Sequence, residues 1–359
     1  MNLRHRTAAL RLAALVASMA ARCALAQGPG PNGPPDLPLD AATRNAVVEQ
    51  LAHELDARYV DVARGAALAR TLRARVQARA YDAIATSAAL ADRLNADLEA
   101  DSHDKHLHVE YSPDVFPLPV ADAKPDPAEA AAMAAQMKRV NYGFDSVQRL
   151  PFNIGYFKLD LLMPPAETEA RFAAAMTLLQ DTRALVIDLR ENHGGEPATV
   201  ALLGSYLFDK RTHLNDIWHR EGARTDEAWT HEKTAGPAYG AQRAVIVLTS
   251  HETFSAGEDL AYALKTLHRA TLIGETTGGG AHPGDMHRIG DHFEAFIPDS
   301  RSISPITHAD WEGVGVTPDV SVAADKALVE ARKHLLKSFA ASEKNPRARA
   351  HLQEEIDRL

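Results

Sequence analysis

Residues 244–267 read AVIVLTSHETFSAGEDLAYALKTL. The opening AVIVL is a near-continuous apolar run rich in β-branched residues, the pattern of a strand covered on both faces. DLAYALKTL, from Asp259, has helical apolar spacing. Ser255 therefore stands where a buried strand gives way to a helix, followed by the small residues Ala256 and Gly257. A serine there reads in two ways. It caps the helix, or it is a nucleophile displayed where the next backbone amide faces a developing oxyanion.

The preceding stretch repeats the pattern. ALVIDLR (184–190) is another buried strand, ENHGGEP brings Gly194 and Gly195, and ATVALLGSYLF is a helix. Paired glycines let an amide approach a substrate with no side chain in the way. Two such junctions on successive strands open on one sheet edge, which favours the nucleophile over the cap. Further out, NIGYFKLDLLM, ATLIGE and FEAFIP read as strands, and ETEARFAAAMTLLQ, after Pro164-Pro165, as a helix. Alternation of this kind gives an α/β sheet covered by helices.

The N-terminal third differs. AATRNAVVEQLAHELDARYV, GAALARTLRARVQARAY and SAALADRLNADLEA carry apolar stripes that predict a small helical bundle. The expected organisation is a leader over 1–26, a Pro/Gly tether over 27–39 and a helical domain over 40–112 ending in a short strand. A linker with a short helix (113–137), a β/α domain (138–335) and a helical tail (336–359) follow.

The 359 residues carry a net charge of −9 and 45% hydrophobic side chains. No long basic stretch appears, so nucleic acid is not an expected partner. The leader combines Arg4, Arg6 and Arg11 with a short apolar segment and an Ala24-Leu25-Ala26 cleavage signal, with Gln27 as the expected mature start. This predicts export to the periplasm or medium. No segment is long enough for a membrane span. The one cysteine, Cys23, falls in the leader, so disulfides, thiol catalysis and cysteine metal sites are excluded from the mature chain.

A serine nucleophile needs a base. SHDKHLHVEY offers His103, His106 and His108, with His106 and His108 on one strand face, and GGGAHPG offers His282 as a rival. Three close histidines also raise a metal reading. No HExxH motif and no acidic residue at ligand spacing accompanies them, so neither metal nor other cofactor is expected. In ADWEGVGVTPDV, Glu312 is either a solvated loop carboxylate or the group that orients a catalytic histidine.

The order DKHLHV, NIGYFKL, VIDLRENHGG, TFSAGE, IGETTGGGAHP and EGVGVTPDV resembles the tail-specific (C-terminal processing) serine protease family. It is closest to the branch of interphotoreceptor retinoid-binding protein and the tricorn core. The resemblance covers about 40 to 335 and implies a β/α spiral fold of crotonase-like architecture beside the N-terminal bundle. The PDZ domain that many relatives carry is not expected, because the interval between Tyr111 and Ile154 is too short to hold one. It implies Ser255 as nucleophile, His106 as base, Glu312 as the acidic residue, and an oxyanion hole from Ala256 with Gly194 or Gly195. Ser102 and His103 are candidate supporting groups, and Gly278, Gly279 and Gly280 a segment along which a peptide adds as a strand. Gly280 stands where bacterial relatives place a catalytic lysine, so a Ser-Lys dyad is not expected. The implied activity is hydrolysis of a peptide or unfolded protein. The competing expectation is an inactive protein binding an apolar ligand or peptide on the same scaffold.

Overall fold

The computed structural model describes residues 35–118 and 127–359. The expected leader, most of the tether and the centre of the PLPVADAKPDP linker lie outside them. The chain forms two compact units. Of the described residues, the first unit holds those up to 133 together with 217–226 and 282–302, and the second holds 134–216, 227–281 and 303–359.

In the first unit, α1 (Ala41–Arg58), α2 (Val62–Gln77) and α3 (Ser87–Ser102) form the expected bundle. Asp40 and Asp61 cap α1 and α2 by accepting the N–H groups of Thr43 (2.7 Å) and Arg64 (3.0 Å). His103 ends α3 in the left-handed conformation, φ +53°. The chain then enters β1 (His108–Tyr111), which pairs antiparallel with β10 (Phe293–Pro298). β10 pairs in turn with β9 (Gly284–Gly290). FEAFIP thus joins the N-terminal helices rather than the larger sheet. Its alternate residues Phe293, Ala295 and Ile297 share a core with Leu51, Leu55, Leu72, Leu90 and Leu94.

After α4 (Pro127–Arg139), the second unit is built on a six-stranded sheet. Its strands are β2 (Phe144–Leu150), β3 (Ile154–Leu159), β4 (Ala184–Asp188), β7 (Ala244–Thr249), β8 (Thr271–Gly274) and β12 (Val320–Ser321). They lie in the order β12-β8-β7-β4-β3-β2, all parallel except β2. The other strands are β5 (His213–His219), β6 (Arg224–Trp229) and β11 (Ser300–Ile303).

The apolar runs are continuous because both sheet faces are covered. Phe157, Leu185, Ile187, Val245 and Val247 face α5 (Pro165–Leu179), α6 (Pro197–Ser205) and α7 (Ala256–Thr266). The alternate residues Tyr156, Val186, Ile246 and Leu248 meet α8 (Ala324–Ser342) and α9 (Pro346–Arg358) through Ala331, Leu335, Leu352 and Ile356. Each such aliphatic side chain contributes about 1.5–3 kcal/mol on full burial. The pairing Asp188↔Leu248 puts the ends of β4 and β7 side by side, so both junction loops leave the same edge.

Candidate active site

Ser255 adopts φ +51°, ψ −122°, a conformation that a residue with a Cβ holds only when its surroundings impose it. Those surroundings are hydrogen bonds on both sides. Phe254 N–H donates to the Asn192 carbonyl (2.9 Å). The Thr253 hydroxyl donates to the Leu189 carbonyl (2.7 Å). Ser255 N–H donates to Glu258 Oε2 (2.9 Å), and its carbonyl accepts from Glu258 and Asp259 N–H. Ala256 opens α7, so its N–H is one of the helix-start amides without an intrahelical acceptor.

The second junction is organised by Asn192, which is completely buried. Its Nδ2 donates to the Leu159 carbonyl (2.9 Å), while its Oδ1 accepts Gly194 N–H (3.0 Å). Leu162 brackets Gly195 by donating to the Gly194 carbonyl (2.8 Å) and accepting Glu196 N–H (2.7 Å). In a parallel bridge the flanking groups face the partner and the central N–H faces away. Gly195 N–H is therefore the amide of this pair turned from Leu162, whereas that of Gly194 is engaged by Asn192. A Cβ at Gly195, φ +137°, would lie 2.1 Å from the Leu162 carbonyl oxygen, so only glycine fits. Asn192 also fills the space beside Gly257, where a Cβ would come within 2.4 Å of its Oδ1. One buried amide thus ties both junctions together. Sequence reasoning missed Asn192; its only signal was a polar residue just ahead of the paired glycines.

Glu258, also missed, is the second organiser. Its buried carboxylate accepts four hydrogen bonds. Ser255 N–H and Gly280 N–H (2.8 Å) reach Oε2, and Thr277 Oγ1 (2.5 Å) and Gly279 N–H (2.7 Å) reach Oε1. Burial pushes its pKa up and these donors restrain the rise. Three of the four donors are backbone N–H groups that can only donate, which favours the ionised form.

The same bonds correct one expectation. Gly278 N–H donates to the Thr253 carbonyl (2.9 Å), and the Gly279 and Gly280 carbonyls accept from Gly313 N–H (2.9 Å) and Trp311 Nε1 (2.8 Å). With all three N–H groups engaged inside the fold, the segment has no donors for strand addition by a peptide. Glu312, half-buried, accepts Ala281 N–H at Oε2 (2.6 Å). Ser255, Ala256, Gly194, Gly195, Gly278–Gly280 and Glu312 all belong to the second unit.

Ser102, His103, His106 and His282 belong to the first unit, where the Asp104 carboxylate lies beside His106 and His282. Asp104, 3% exposed, takes Tyr59 Oη (2.8 Å) on Oδ2 and His106 N–H (2.9 Å) on Oδ1. His282 Nδ1 lies 3.9 Å from Oδ2. Burial alone would raise the Asp104 pKa, but His282, the charge of His106 and Tyr59 outweigh it and hold the carboxyl below its ordinary value. The His106 ring stacks on Phe296, centroids 6.0 Å apart. Ser102 Oγ accepts Asp104 N–H (3.0 Å) and shapes the turn, while His103 is the exposed residue that terminates α3.

Comparison with known proteins agrees with this architecture. Residues 153–322 match peptidase family S41, and residues 41–141 match the N-terminal domain of Peptidase_S41 in eukaryotic IRBP. The chloroplastic carboxyl-terminal-processing peptidase 2 of Arabidopsis thaliana is 30% identical over 166 residues, covering 46% of this chain and 31% of that protein. The carboxyl-terminal-processing protease of Synechocystis sp. is 28% identical over 167 residues, covering 46% and 37%. The chain thus spans about a third of the length of these curated relatives. The solved photosystem II D1 C-terminal processing protease has the same fold, with TM-score 0.50 and 18% identity over 80% of this chain and 94% of that one.

Proposed function

The chain belongs to peptidase family S41, and on that premise we propose that it is a serine-type peptidase acting on peptides or unfolded protein. The observation that carries the proposal is the strained conformation of Ser255 at the strand-to-helix junction, imposed by Asn192 and Glu258. Strain held in place by two buried polar groups marks a site whose geometry matters.

In this reading Ser255 Oγ attacks the substrate carbonyl carbon while a histidine takes its proton. The tetrahedral oxyanion is held by the N–H groups of Ala256 and Gly195. Its collapse expels the amine, which receives the proton from the histidine, and water then hydrolyses the acyl-enzyme by the same route. The base is His106 or His282. Asp104 accepts the His106 backbone N–H and lies 3.9 Å from His282 Nδ1, and its negative charge favours an imidazolium at either histidine. Glu312 is the further acidic group of the family pattern and assists that histidine. Gly280 removes the lysine of a Ser-Lys dyad from consideration. The leader supports activity outside the cytoplasm, in the periplasm or as a secreted protein.

The test is incubation of the purified chain with a mixed peptide library and unfolded protein, read by mass spectrometry, beside Ser255→Ala, His106→Ala and His282→Ala. Cleavage abolished in Ser255→Ala and in one histidine variant is expected. Cleavage that persists in Ser255→Ala refutes the assignment. Absence of cleavage together with tight binding of apolar ligands would favour the binding scaffold instead.

A further inference from the structure

The sheet that presents Ser255 beyond one edge has a cavity at the other. It measures about 620 Å³ and is walled by the first residues of β7 (244–246), by the start of β8, by the end of α7 and by Leu335 of α8. All of its lining belongs to the second unit. Its charge is opposite to that of the chain, which carries −9. Arg243, Lys265 and Arg269 line it, with the imidazoles of His268 and His334, against one carboxylate, that of Asp319.

Arg269 stands out, being only 8% exposed. Its guanidinium donates to three backbone carbonyls, from Nε to Leu207, from Nη1 to Arg243 (3.2 Å) and from Nη2 to Gly240 (2.6 Å). One N–H on each terminal nitrogen is left without an acceptor among the described residues. The carbonyls explain why an arginine ties these three segments together, but they bring no counter-charge. Asp209 acts on Arg269 only at longer range, because its Oδ1 accepts the Ala241 N–H (2.9 Å). Arg243 is also bonded only to carbonyls, those of Tyr239, Gln180 and Thr182. Among the described residues neither arginine has an ion pair, and only Lys265 has one, with Asp319 at 3.4 Å. Burial, with Arg243 nearby, pushes the Arg269 pKa below its ordinary value, the mark of a buried cation short of negative charge.

We propose that this cavity binds a phosphate group, free or carried on a small organic molecule, with Arg269 and Lys265 supplying the opposing charge. A guanidinium with N–H groups to spare matches phosphate oxygens. Several cations around one space select an anion of nearly two charges over a single carboxylate. The cavity has the size of a small-molecule site, and Val245, Ile246 and Leu335 give it an apolar wall against which an organic group can rest. Ser255 follows the far end of β7, whose six residues span about 20 Å, so the assignment stands apart from the peptidase reading.

The test uses the full chain with inorganic phosphate and phenyl phosphate as probes and phenol as the neutral analogue, binding being followed by calorimetry at neutral pH and low salt. At least one phosphate probe is expected to bind with Kd below about 1 mM, and phenol to bind at least tenfold more weakly, roughly. Because Arg269 also ties the fold together, the variants are Lys265→Gln, half-buried in the wall, and His334→Glu, exposed beside it. Each should weaken phosphate binding by about tenfold. Lys326→Gln, exposed in the first turn of α8 and distant from the cavity lining, should leave it unchanged. Tighter binding of phenyl phosphate supports an organic phosphate as the occupant, and equal affinities support the free ion. Failure of both phosphate probes to bind, or undiminished binding in Lys265→Gln and His334→Glu, overturns the proposal. Equal weakening in Lys326→Gln does so too, because it would show diffuse attraction rather than a site.

Discussion

Replacing Glu258 by glutamine tests whether one carboxylate holds the site together. The wild-type side chain presents two oxygens to four donors, with Ser255 N–H and Gly280 N–H on one and Thr277 Oγ1 and Gly279 N–H on the other. Glutamine keeps one oxygen. Whichever way its amide turns, an NH2 group faces two donors and those two hydrogen bonds are lost. Bonds to a charged acceptor contribute about 1.5–3 kcal/mol each, so the loss is about 3–6 kcal/mol. Relief of the buried charge returns part of this, leaving a net destabilisation of about 2–4 kcal/mol. That is a large share of the roughly 5–15 kcal/mol by which a domain is stable.

Urea unfolding measures the global effect, and hydrogen exchange at the Ser255, Gly279 and Gly280 amides measures the local one. Glu258→Gln should lower the urea midpoint and speed exchange at these three amides more than in α8 or β4. A change in unfolding free energy below about 0.5 kcal/mol with unchanged exchange at these amides would refute the argument, because surface substitutions do no more than that.

Ser255→Gly and Ser255→Ala should both abolish cleavage, but the glycine variant should be the more stable by about 1 kcal/mol, since only glycine adopts φ +51°, ψ −122° without strain. Equal urea midpoints would show that the serine is unstrained. Two carboxyls should give opposite pH dependences. The Asp104 pKa is held below its ordinary value of 3.8, so its stabilisation is full above that value and lost as pH falls below it. The Asp259 pKa is raised from 3.8 to about 7, so the folded state keeps a proton that the unfolded chain releases, and stability falls as pH rises across that interval. Asp259→Asn should remove this fall, making the variant more stable than wild type at about pH 8 by at most about 4 kcal/mol. Parallel stability curves for the two proteins across this interval would count against a buried carboxyl with a raised pKa.

The central sheet was legible because its physics is local. A strand covered by helices on both faces must be apolar at every position, and AVIVL and ALVID satisfy that without reference to anything distant. The junctions at Ser255 and Gly195 were legible for a similar reason, since small residues between a strand and a helix leave few alternatives. Partnership was not legible. FEAFIP reads as a strand with one apolar face, and alternation says which side is buried but not which sheet receives it. The pairing with β1 depends on residues 108–111, far away in the chain.

The glycine run shows the same limit from the other side. TTGGGAHP looks like free backbone ready to pair with a peptide, but each of its glycine amides is engaged by Thr253 or Glu258. At Gly279 the chain also approaches Gly315 so closely that a Cβ would lie 3.1 Å from its nitrogen. The glycines serve close packing of backbone on backbone, a need that leaves no composition signal distinct from flexibility. Glu258 and Asp259 make the point most sharply. As sequence they are two acidic residues at a helix start, each accounted for by the helix dipole. As structure, one is saturated with donors and fixes the serine, while the other is buried against the Asn215 carboxamide and its pKa is pushed up to about 7. What separates them is the set of distant residues each one faces, four donors for Glu258 and the Asn215 carboxamide for Asp259.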